Sequence, residues 1–179
     1  MEIPIPNEFP ILQRTQLEGV ETRIHSAMQD LGFCFTDWTG ADEEITFEPL
    51  SFPWSPKLDR PSYHDLPTGD EFLRLLRLHN RLSYYTNRTT SETRFTPACQ
   101  RVSLEEFFDP FTSNYCDQQY HFIQLQDTLI DIFSSRHVCC YHLTFGSQEI
   151  YYIMGYYKPN TKDQQESWLV GLKTCSTPL

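Results

Sequence analysis

The side chains with the widest chemical reach in this sequence are six histidines: His25, His64, His79, His121, His137 and His142. An imidazole can ligate a metal or act as a general base. No two of them stand four apart as H-x-x-x-H on one helix turn would require, and no C-x-x-C accompanies them. His142 alternates with Cys140 and Thr144, so on a strand the three would share a face, and with His137 they form a candidate ligand cluster for a small metal-dependent hydrolase. A structural histidine satisfied by hydrogen bonds is the plainer reading. Cys139 and Cys140 invite a nucleophile reading, but adjacent residues of a strand point to opposite faces, and no basic or helix-start environment is visible to lower a thiol pKa. Buried small residues are the expectation. The sequence holds no G-x-S-x-G elbow, no Walker loop and no G-x-G-x-x-G, so no catalytic residue and no cofactor is assigned.

The carboxylates Asp37, Asp42, Glu43, Glu44 and Glu48 are close enough in sequence to bind a divalent cation, but their spacing matches no calcium loop. They read either as a solvated acidic edge or as a recognition patch for a basic cleft. Tyr141, Tyr151, Tyr152, Tyr156 and Tyr157 crowd one stretch. Alternation sends Tyr151 and Tyr157 to one side and Tyr152 and Tyr156 to the other, for core packing or for the interface of a structural subunit.

Charge supports the patch. The chain of 179 residues carries a net charge of -10, unevenly spread: residues 1–54 are net -8, residues 55–101 net +3 and residues 102–179 net -5. Nucleic acid would be repelled by most of this surface, whereas a basic protein partner would be attracted. The first ten residues contain Glu2 and Glu8 and lack a basic start, so no signal peptide is expected. No apolar run is long enough to span a membrane. The cysteines Cys34, Cys99, Cys116, Cys139, Cys140 and Cys175 show no pairing rhythm, and the cytoplasm is the expected compartment. In that compartment the sequon at Asn87 is a chance match.

These residues must be positioned by a folded frame, and 13 Phe, 10 Tyr and 3 Trp give the chain enough apolar area to build one. Three segments open with Thr or Ser followed three places later by Glu, the capping box that starts a helix. They are Thr15 with Glu18, reading to a stop at Gly32; Thr68 with Glu71, reading through Leu82; and Ser103 with Glu106, ended by Pro110. A fourth helix spans residues 113–133. Phe33–Trp38, Glu43–Leu50, Val138–Phe145, Glu149–Tyr157 and Ser167–Thr174 read as strands, with a hairpin turn at Gly146–Gln148. Residues 52–67, with four prolines, read as an irregular loop. The expectation is one α+β domain over residues 1–179, helices on a mostly antiparallel sheet, with residues 55–95 as an insertion or arm.

Val102–Phe108, the helix ending at Phe133, Tyr141–Phe145, Gly146, Glu149–Gly155 and Gly171–Thr174 together resemble the nuclease A inhibitor-like family. The likeness covers residues 99–179 and, more loosely, Phe35-Thr36-Asp37 and the acidic stretch at Glu43, Glu44 and Phe47. It implies an α/β/α sandwich, and no enzyme, that inhibits a sugar-non-specific, metal-dependent nuclease by sealing its active site. In that family an acidic residue after the first helix and a C-terminal threonine reach the nuclease metal. Asp37 matches the acidic position and Thr36 the small hydroxyl residue before it. The terminal threonine is missing: the sequence closes Thr174-Cys175-Ser176-Thr177-Pro178-Leu179, so Thr177 or the Leu179 carboxylate would substitute.

Overall fold

A computed structural model describes residues 11–28, 35–36, 42–43, 47–56, 65–78, 97–113, 118–145, 148–160 and 166–175. In chain order its elements are α1 (Ile11–Met28), β1 (Phe35–Thr36), β2 (Asp42–Glu43), β3 (Glu48–Pro53), α2 (Gly69–Leu78), β4 (Ala98–Val102), α3 (Leu104–Thr112), α4 (Gln119–Phe133), β5 (Val138–Phe145), β6 (Gln148–Tyr157) and β7 (Trp168–Cys175).

The five longer strands form one antiparallel sheet in the order β3-β7-β6-β5-β4. β5, β6 and β7 make a central meander. Their β-branched and aromatic residues suit a pleated surface covered on both sides. The edges are β3 and β4. β3 carries Pro49 and Pro53, which have no N–H to donate and are tolerated at an edge.

Helices cover both faces, giving an α/β/α sandwich of the α+β class. On one face α1, α3 and α4 pack Ile24, Phe108, Leu125 and Leu129 against Cys140, Ile153 and Leu172. On the other, α2 buries Phe72 and Leu76 against Tyr141, Tyr152 and Met154. Each buried large apolar side chain contributes roughly 1.5–3 kcal/mol, so both layers are needed. The expected alternation of tyrosines holds: Tyr151 and Tyr157 lie on the three-helix face, Tyr152 and Tyr156 on the α2 face.

The capping box at Thr68–Glu71 forms in full, and at Ser103–Glu106 the serine half forms. The Thr68 N–H donates to Glu71 Oε2 at 2.9 Å, the Glu71 N–H donates to Thr68 Oγ1 at 3.3 Å, and the Glu106 N–H donates to Ser103 Oγ at 3.1 Å. The helix read from Thr15 starts earlier: α1 begins at Ile11, and Thr15 lies inside it. Pro10 directly precedes Ile11 in the sequence, and proline favours a helix start. α3 continues past Pro110 to Thr112, since a proline this near the end removes one N–H. The Thr112 hydroxyl donates to the Phe108 carbonyl and the Ser113 hydroxyl to the Pro110 carbonyl. The strand expected over Glu43–Leu50 is instead divided between β2 and β3, and β4 was not expected.

Candidate functional site

The face covered by α1, α3 and α4 ends in a row of polar side chains near the end of β7 and of the β5–β6 pair. Cross-strand register aligns Gln100 of β4 with His142 of β5, His142 with Tyr151 of β6, and Tyr151 with Thr174 of β7. Directly opposed residues of neighbouring strands have Cβ atoms about 4.5–5.5 Å apart, so these side chains are neighbours.

The His142 ring lies flat on the Tyr151 ring, with centroids 4.5 Å apart and planes 7° from parallel. Tyr151 also meets Phe107 of α3, with ring centroids 5.3 Å apart. The Tyr151 hydroxyl donates to Glu149 Oε2 at 3.1 Å, and the same oxygen stands 3.7 Å from His142 Nε2. Burial, followed by the Glu149 carboxylate, pushes the Tyr151 phenol up to about 12, so it remains a donor at neutral pH. His142 Nε2 and Thr174 Oγ1 are both buried and have no hydrogen-bond partner among the described residues.

The same end of the sheet receives β3. Glu48 opposes Lys173 across β3 and β7, and their charged groups stand 3.8 Å apart. The start of β3 and the end of β7 therefore lie at one end of the sheet. Among the residues expected to meet a partner, Thr36 lies in β1 opposite Asp42, and Glu43 lies in β2 opposite Phe35. Asp37, Glu44, Thr177 and Leu179 lie outside the described residues. Thr174 is 5% exposed, which makes it part of the frame.

His137 and His142 do not form the cluster that their proximity in sequence invites. Five residues of strand place them about 16 Å apart, and each has its own company. At the opposite end of the sheet, His137 Nδ1 stands 2.9 Å from Ser134 Oγ, and His137 Nε2 stands 3.4 Å from Asp65 Oδ2. Asp65 is held in turn by the Trp54 indole, which donates to its carbonyl oxygen at 2.7 Å. Serine, histidine and aspartate in series resemble a nucleophile relay. Ser134, however, caps the C-terminus of α4 with φ 64 and ψ 154. A helix C-terminus is the negative end of the dipole and opposes the developing oxyanion that such chemistry must stabilise. The trio instead clasps the turn after α4 to the segment ahead of α2.

The thiols of Cys139 and Cys140 are buried on opposite faces of β5, as alternation requires. Burial pushes both upward, outweighing the lowering influence of Arg101 on Cys139. Neither has the environment of an activated nucleophile. Among the described residues no three His, Cys, Asp or Glu side chains gather closely enough to hold a metal ion.

Sequence reasoning missed Asp65, Ser134 and Glu149, because each acquires its partner only through the fold. Glu149 carried one readable signal, its place beside a hairpin turn one strand away from His142. No described helix is long and apolar enough to cross a membrane. No family model, curated protein or solved structure matches the chain.

Proposed function

We propose that this chain is a protein-binding module that enters a basic cleft of another protein, as an inhibitor of a sugar-non-specific, metal-dependent nuclease would, or as a divergent relative of such inhibitors with a different partner. The observation that carries this reading is the Glu48–Lys173 register, which sets the start of β3 and the end of β7 at one end of adjacent strands, the first following the acidic stretch of the sequence and the second preceding Thr177 and Leu179. A plug needs acidic and hydroxyl groups on a rigid support, and the two-sided sandwich supplies the support. Net charges of -8 over residues 1–54 and -5 over residues 102–179 favour a basic protein and disfavour nucleic acid as the direct ligand. Buried free thiols at Cys139 and Cys140 suit a reducing cytoplasm.

The test is degradation of DNA by a sugar-non-specific nuclease in the presence of the purified chain, together with binding measured across a salt series. Inhibition that weakens as salt rises supports the reading. Unchanged degradation at large molar excess removes the nuclease partner, and a pull-down that captures no basic protein removes the binding module. Asp37→Ala should weaken association without moving the unfolding transition.

A further inference from the structure

We propose that His142 and Glu149 form an open binding site for a divalent transition-metal ion of the zinc class, with Tyr151 as the residue that positions both. The site runs across β5 and β6 and is independent of the inhibitor reading above.

The geometry fits such an ion. Zinc takes imidazole nitrogen and carboxylate oxygen at about 2.0–2.2 Å, so two donors on a tetrahedral ion stand about 3.3–3.5 Å apart. His142 Nε2 and Glu149 Oε2 stand 3.7 Å apart, and the Glu149 side chain is 48% exposed. A movement of a few tenths of an ångström by that carboxylate completes the bite. At the present separation the pair is too long for a hydrogen bond. His142 Nε2 is nevertheless buried and has no hydrogen-bond partner among the described residues. A buried nitrogen normally has a partner, and a metal ion would supply one.

Preorganisation is the second argument. Stacking on Tyr151 fixes the plane of the His142 ring, and the Tyr151 hydroxyl holds Glu149 Oε2. One tyrosine thus orients both donors, the role that neighbours of metal ligands commonly play. An imidazole in the donor set selects zinc, nickel or cobalt over magnesium and calcium, which prefer oxygen. Among the described residues two ionisable donors come together, which leaves further positions to water or to a donor from a bound molecule. An ion held by these two alone is exchangeable and bound more weakly than in a closed structural site.

The experiment titrates zinc chloride into the full chain at neutral pH and follows the imidazole resonances of all its histidines by NMR. His142 should shift or broaden first. Glu149→Gln should raise the dissociation constant at least tenfold, His142→Gln should abolish the response, and Tyr151→Phe should weaken binding several-fold while leaving the ligand pair in place. Thermal unfolding of Glu149→Gln without zinc should show one cooperative transition, so that a lost response reports the missing ligand in a folded chain. The proposal is overturned if His142 is unmoved at several equivalents of zinc, or if Glu149→Gln binds zinc as tightly as the parent.

Discussion

The Tyr141 hydroxyl donates to the Pro67 carbonyl oxygen at 2.7 Å, joining the middle of β5 to the turn that opens α2. The Tyr141 ring also lies on Phe72 of that helix, with centroids 4.1 Å apart. Tyr141→Phe keeps the stacking and leaves a buried carbonyl without its donor, a loss of about 1–3 kcal/mol. Urea unfolding should show the midpoint falling with an unchanged slope, and a wild-type midpoint would mean that the bond adds nothing.

Gly155 sits beneath the Phe133 ring, where a Cβ would overlap the ring atoms. Gly155→Ala should therefore cost at least about 2–3 kcal/mol through overpacking. Combining it with Phe133→Leu, which removes part of the obstruction, should cost less than the sum of the two single changes. Strict additivity in the double-mutant cycle would show that the two positions do not meet.

Thr174 buries a hydroxyl with no described hydrogen-bond partner. Thr174→Val keeps the branched shape and removes the unmet oxygen. Thermal unfolding should find the variant as stable as the parent or more stable, by up to about 1–2 kcal/mol. A loss of stability would reveal a partner for the hydroxyl.

Alkaline pH should destabilise the fold. Burial, then the neighbouring Cys139 and Asp70, push the Cys99 thiol up from 9.0 to about 12. Between these values the folded chain holds a proton that the unfolded chain has released, so stability falls as pH rises from 9.0 towards about 12. Burial moves Cys139, Cys140 and Tyr141 in the same direction. The urea midpoint should drop as pH rises from 9.0 towards about 12. Mass spectrometry should find Cys99, Cys139 and Cys140 slow to alkylate in the native state; rapid labelling of Cys139 at neutral pH would contradict its burial.

The elements legible in the sequence are those whose local chemistry and tertiary position agree. β5, β6 and β7 are runs of β-branched and aromatic residues, and the Thr68–Glu71 and Ser103–Glu106 boxes fix the starts of α2 and α3 within a residue. The edges resisted. β4, Ala98-Cys99-Gln100-Arg101-Val102, is mostly exposed and has no clear apolar alternation, and the prolines of β3 argue against a strand until its edge position is known. The candidate site was legible only in part. His142 stood out by residue type, but the company it keeps is set by the register of β5 against β6. Read along β5 alone, it points to Cys140 and His137 in place of Glu149 and Tyr151.

Among the described residues β3 has a single neighbour in the sheet, β7, and the Ser167 hydroxyl reaches back to the Trp54 carbonyl across 113 residues of chain. At about 5–20 residues per second of synthesis, β3 leaves the ribosome roughly 6–23 s before its mate does. Through that interval Phe52, buried in the finished molecule, has nothing of β7 to rest on. The nascent polypeptide must shelter it by provisional contacts or in the grip of a chaperone, so a ribosome stalled before Trp168 should display a persistent holdase-binding stretch.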